Sequence, residues 1–169
     1  IQGHIEELLV SPLSEISIVI GYLAGGIIRG LAVATVVTFI ALFFTQINIK
    51  HPFMTFFVII MTAAVFSLAG LINAIFAKKF DDIAVIPSFV LAPLTYLGGV
   101  FYTVSLLPDF WQTLSRFNPI LYMINSMRYS VIGISDVSIQ NALMMIVFFF
   151  ILLFTTAVIL LRKGIGIRQ

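Results

Sequence analysis

The chain has 169 residues, 61% of them hydrophobic and only 9% charged, with a mean hydropathy of +1.17; a soluble domain carries roughly 25% charge, so this composition excludes one and reads as an integral membrane protein. The absence of cysteine excludes a disulfide framework and a thiolate metal site. A net charge of +2 gives no reason to expect a nucleic-acid partner, because in a membrane chain the placement of lysine and arginine matters more than their sum.

Residues 1–17 read as a short cytoplasmic entrance, and 18–169 as one transmembrane domain. The sequence opens on Ile1 with no basic leader ahead of an apolar core, so it is not read as a signal peptide, and the expectation is the C-terminal part of a longer product. In "GHIEELLVSPLSE", Ile5, Leu8 and Leu9 give a short apolar face and Glu6 and Glu7 an acidic one. Ser11 is placed to cap the next helix, with Pro12 at its first position. Taken on its residues alone, this is an interfacial helix that positions the first span.

Charges then divide the chain. Arg29 is the single charge between Glu15 and Gln46; apart from His51, nothing titratable stands between Lys50 and Lys78; and the intervals from Asp82 to Asp109 and from Asp136 to Arg162 carry none. Each is long enough to cross a hydrocarbon core about 30 Å thick. Four transmembrane helices are expected near 18–44, 53–77, 83–103 and 139–161, as helices because the apolar runs do not alternate as barrel strands do. Lys78, Lys79, Arg162, Lys163 and Arg168 fall on one side against Lys50, Arg116 and Arg128 on the other, which puts both ends of the chain in the cytoplasm.

Within the first span, Arg29 costs at least a few kcal/mol at the membrane centre. It either snorkels to the nearer cytoplasmic surface or meets a partner in a translocation path or subunit interface. Gly21 and Gly25, and Gly26 and Gly30, are spaced for close helix approach. In the third span Pro93, Gly98 and Gly99 predict a loosened or kinked helix.

The segment 104–132 is too polar to span. Phe110, Trp111, Leu114 and Phe117 share one helical face, as do Ile120, Leu121, Ile124 and Met127, and Asn118-Pro119 breaks the two apart. Asp109, Gln112, Thr113, Ser115 and Arg116, then Asn125, Ser126 and Arg128, make the polar faces. A broken hairpin on the outer face follows, lying flat at the headgroups or dipping in where protein shields its backbone. The last span, 139–161, is uninterrupted.

No catalytic or metal-binding group emerges. His4 and His51 lie on opposite faces of the expected topology, and no carboxylate stands within a span, which disfavours an ion-driven carrier. No phosphate-cradling Gly-Lys pair exists, so ATP, if used, is bound by another chain.

"HIEELLVSPLSE", "IIRGL" and "FAKKFDDIAVIPSFVLAPLTYLGGVFYTVSLLPDFWQTLSRFNPILYMINSMRYSVIGISDV" resemble the permease subunit of ABC-2 type transporters of the bacterial inner membrane, from His4 to about Val137. The Gly-Gly-Val-Phe-Tyr, Leu-Pro, Asn-Pro and Arg-Tyr elements keep the family's order and spacing. The resemblance implies an all-α bundle of six helices of which these are the last four, with an outer re-entrant helical hairpin. It implies that Glu6, Glu7, Leu8, Leu9, Ser11 and Pro12 form the coupling helix that docks on the ATPase. Gly98, Gly99, Phe101, Pro108, Trp111, Asn118, Pro119 and Arg128 would then shape the outer gate. Expected partners are an ABC ATPase subunit carrying ATP and magnesium, a second permease copy and membrane lipid; no cofactor is expected in this chain. The implied function is export driven by ATP hydrolysed in trans. A membrane anchor or assembly subunit is the alternative, and it has no need of the broken hairpin. An amphipathic or lipid-like cargo suits the phenylalanine-rich walls.

Overall fold

The computed structural model describes residues 14–46, 48–77 and 80–164, and among these the chain is helical with no strand. In chain order the helices are α1 (Glu15–Phe44), α2 (Pro52–Phe76), α3 (Phe80–Ile86), α4 (Ala92–Leu97), α5 (Asp109–Arg116), α6 (Pro119–Ile132) and α7 (Ile139–Lys163). A π-helical turn, Pro87–Leu91, joins α3 to α4, and a 3-10 turn, Val104–Leu106, precedes α5. Three of the described helices, α1, α2 and α7, are long and apolar enough to cross a membrane.

The ends of these three follow from local chemistry. The Ser14 hydroxyl accepts the Ser17 N–H at 3.3 Å and caps α1, so the helix starts three residues before the expected 18. The cap foreseen at Ser11 and Pro12 lies outside the described residues. Pro52 starts α2, where its missing N–H costs nothing. Gly164, at φ 62°, closes α7 behind Arg162 and Lys163, which complement the negative end of the helix dipole.

In the interval expected to hold a third span, 83–103, an interrupted apolar helix runs from Asp82 to Leu97, shorter than α1, α2 and α7. Pro87 has no N–H to give the Ile83 carbonyl one turn back, so the helix widens there and the Ala92 N–H reaches the Pro87 carbonyl five residues back. At the other end the Gly98 N–H bonds the Thr95 carbonyl at 3.1 Å, a tightened last turn, and Gly99 leaves the helix at φ 76°, a conformation that L side chains rarely adopt.

Between helices in lipid there is little hydrophobic drive, so contacts rest on close packing and polar bonds. Gly26 faces Ser67 and Gly30 faces Ala63; a Cβ at Gly30 would stand 2.6 Å from that of Ala63. The Ser67 hydroxyl donates to the Tyr22 carbonyl at 3.0 Å. Towards the Lys163 end, Ile18, Val19 and Leu23 pack with Leu68, Leu71, Ile75, Ala157 and Leu161.

Helix α6 sits inside this bundle. Its C-terminal carbonyls at Ser130 and Val131 accept the N–H groups of His51 (2.9 Å) and Lys50 (3.1 Å), and the His51 ring stacks on Tyr129 with centroids 5.3 Å apart. From that anchor its 14 residues extend about 21 Å into the bundle at 1.5 Å per residue. Met123 there meets Val65, midway along α2, and Ile146 of α7.

Gly30→Val should therefore lower the thermal unfolding temperature in detergent, by the equivalent of about 1–3 kcal/mol of overpacking. Gly70→Ala, at a position with nothing within 4 Å, should not lower it.

Candidate functional site

The break between α5 and α6 is built by one side chain. Asn118 is 2% exposed; its Oδ1 accepts the Ile120 N–H at 3.0 Å and caps α6, while its Nδ2 donates to the Leu94 carbonyl at 2.5 Å. That carbonyl lost its usual helical donor when the Gly98 N–H turned to Thr95. Gly98 lies directly beneath α6: a Cβ there would stand 2.8 Å from Ile124 Cδ1. Turning through Gly99 aims its carbonyl at Arg128, whose Nη2 donates to it at 2.5 Å. The Arg128 Nη1 meets Asp136 Oδ2 at 3.0 Å, in an ion pair whose side chains are 19% and 17% exposed. Behind them the fully buried Asn125 accepts the Asp136 N–H at 2.8 Å and donates to the Leu121 carbonyl at 3.0 Å.

Thus Gly98, Gly99, Asn118, Pro119 and Arg128, singled out from the sequence, converge on one knot joining α4, α6 and the turn before α7. The remaining residues named for the gate do not enter it. Phe101 is 77% exposed and tilts against Tyr96, Trp111 is exposed and set edge-on to Phe110, and Pro108 is exposed at the start of α5. The apolar face of α5 points away from the bundle, with Phe110, Leu114 and Phe117 exposed. In α6 both expected faces are covered: Ile120, Leu121 and Met123 are buried, and so are Asn125, Ser126 and Ser130, because α2 and α7 both pack against this helix. Asn125 and Asp136 were missed as site residues. The signal available was the unusual density of amide, guanidinium and carboxylate groups between Asn118 and Asp136.

A recess of about 540 Å³ beside the knot is lined by Gln112, Arg116, Tyr122, Asp136, Ser138 and Asn141. Arg29 occupies a different place. It stands midway along α1, exposed, in an open groove of about 970 Å³ shared with Tyr22, Gly25 and Ser67. With Gly30 against Ala63 its level is the middle of α2. Its Cα is about 21 Å along the axis from Glu15. Glu6, Glu7, Leu8, Leu9, Ser11 and Pro12 lie outside the described residues.

A glycine-ended broken helix, an Asn-Pro hairpin and an arginine joining them form the segment that a family model covers in full: the model described as ABC-2 type transporter matches residues 1–132. The chain belongs to the ABC-2 type transporter family. It is 47% identical over 167 residues to the inner membrane transport permease YadH of Escherichia coli strain K12, and equally to that of Shigella flexneri. Each match covers 99% of this chain and 65% of the relative, so the chain spans just under two thirds of the curated relatives' length. No solved structure matches the chain. With its apolar helices and these relatives, this ABC-2 protein is a multi-pass protein of the inner membrane.

Arg128→Leu leaves the Asp136 carboxylate and the Gly99 carbonyl without their donor. It should cost about 2–3 kcal/mol in unfolding free energy and expose the turn between α6 and α7 to limited proteolysis. Asp136→Asn, which keeps an acceptor for Arg128, should cost less.

Proposed function

We propose that the chain is the permease part of an ATP-driven exporter whose ATPase is a separate subunit. The observation that carries this reading is the seat of the Asn118-Pro119 break at mid-height of the bundle. A simple anchor gains nothing from burying Asn118 there, with Asn125 and the half-buried Arg128 further along the same helix, whereas a closed path across the membrane needs polar backbone held at that depth by protein. Family membership and the name of the relatives, a transport permease, support the same reading.

In this mechanism the hairpin α5–α6 is re-entrant and closes the path from outside, with Gly98, Gly99, Asn118, Pro119 and Arg128 at the closure. Phe101, Pro108 and Trp111 present apolar surface beside it. The interrupted helix Phe80–Leu97 is the third of four crossing segments here, and the whole permease has six. The termini face the cytoplasm, where Glu6, Glu7, Leu8, Leu9, Ser11 and Pro12 dock on the ATPase that holds ATP and magnesium. Two permease copies pair across the path. Closure of the ATPase dimer pulls on these acidic turns, and the pull reaches the outer hairpin through the spans. No step of bond making falls to this chain.

Full-length permease purified with its co-expressed ATPase and reconstituted in vesicles tests the reading through Glu7→Lys. The ATPase should copurify with the unaltered protein, and its activity should fall several-fold or lose its link to the permease in the variant. An ATPase that never associates, or a folded variant indistinguishable from the parent, overturns the exporter assignment.

A further inference from the structure

The interrupted helix from Phe80 to Leu97 is held in an unusual way. No side chain from Asp82 to Leu97 is buried, and Phe89 and Tyr96 are 77% and 62% exposed. Two of its backbone carbonyls, which the helix itself leaves free, are bonded by side chains of the bundle. Pro87 deprives the Ile83 carbonyl of its helical donor, and Asn73 of α2, 8% exposed, supplies an Nδ2–H at 2.9 Å. The turn at Gly98 deprives the Leu94 carbonyl, and Asn118 supplies an Nδ2–H in the same way. Between the two clips lies the π turn with Pro87 at its start, and Pro93 follows within α4. This is the weakest stretch of the backbone ladder and the place where bending costs least.

We propose that this helix is a two-part lever, with Asn73 and Asn118 as its positioning residues. The half α3 moves with the Lys163 end of α2, to which Asn73 moors it. The half α4 moves with the hairpin, because Asn118 both clips Leu94 and caps α6, and because Ile120 and Ile124 rest on Gly98. The backbone gap at Pro93, which lies between the clips and is kept in every variant below, lets the halves change angle without breaking either clip. Movement arriving at one end of α2 is thereby delivered to the closure around Gly99 and Arg128 on the far side of the bundle. The inference deepens the exporter reading and rests on it. It adds Asn73, far from the hairpin, to the residues that set the gate.

Asn73→Leu alone removes a buried bond and lowers the unfolding temperature whatever its role. Asn73→Leu combined with Pro87→Ala separates stability from transmission, because alanine restores the backbone N–H that satisfies Ile83 while the mooring to α2 stays cut. Cysteines placed at Tyr96 and Met144, in a chain that has none of its own, carry spin labels for distance measurement by pulsed EPR in the full-length permease with its ATPase, nucleotide-free and trapped with ATP and vanadate. The expected result is a distance change on trapping in the parent and in Pro87→Ala. In the double variant the unfolding temperature recovers but the distance change is lost. A change that survives in the double variant overturns the lever, and so does its loss in Pro87→Ala alone, which would assign the motion to the proline instead of the clip. A parent that hydrolyses ATP without any distance change overturns the lever and leaves the exporter reading standing; failure of any ATPase to associate removes both.

Discussion

A backbone carbonyl without a donor is expensive in hydrocarbon, and most of what distinguishes this chain from a plain helical bundle follows from that constraint. Prolines and glycines open the third helix at Ile83 and Leu94; asparagines from two different helices fill both vacancies. The Asn118 amide performs two such services at once, since its oxygen caps α6 and its nitrogen serves Leu94. The Arg128 guanidinium does the same for Gly99 while answering Asp136. The polar residues at the heart of the bundle are thus there because the backbone was broken on purpose.

These bonds also explain how the bundle coheres where oil surrounds oil. Each interhelical polar contact in lipid contributes about 0.6 to 2 kcal/mol, so the hold is shared among many of them. The face of α1 against α2 uses size, with Gly26 and Gly30 admitting Ser67 and Ala63. The side facing α4 uses hydrogen bonds as well, because no side chain from Asp82 to Leu97 is fully buried there. Two mechanical regimes result: a tightly packed frame of α1, α2, α6 and α7, and a lightly held helix beside it.

The sequence made the frame legible because charges mark helix ends sharply. The boundaries expected for the first, second and last spans lie within three residues of those found, and the stop at Asn118 was dictated by Pro119. Depth was not legible. That both faces of α6 are covered depends on α2 and α7 both packing against it, and an amphipathic pattern cannot announce a second wall. Nor could Asn73 be recognised, since one asparagine in an apolar run does not say which distant carbonyl lacks a partner. Nor was the interruption of the third apolar helix at Pro87 foreseen, since the kink was expected from Pro93, Gly98 and Gly99.

The burial of α6 has a consequence for how the protein is made. With Asn125 and Arg128 in its 14 residues, this helix is poorly suited to partition into a bilayer alone, and the short helix ahead of it is little better. Helix α6 can settle only against walls that already stand, and one of those walls, α7, leaves the ribosome after it. The seating of α6 therefore waits on the insertion of α7, a helix that follows it in the chain.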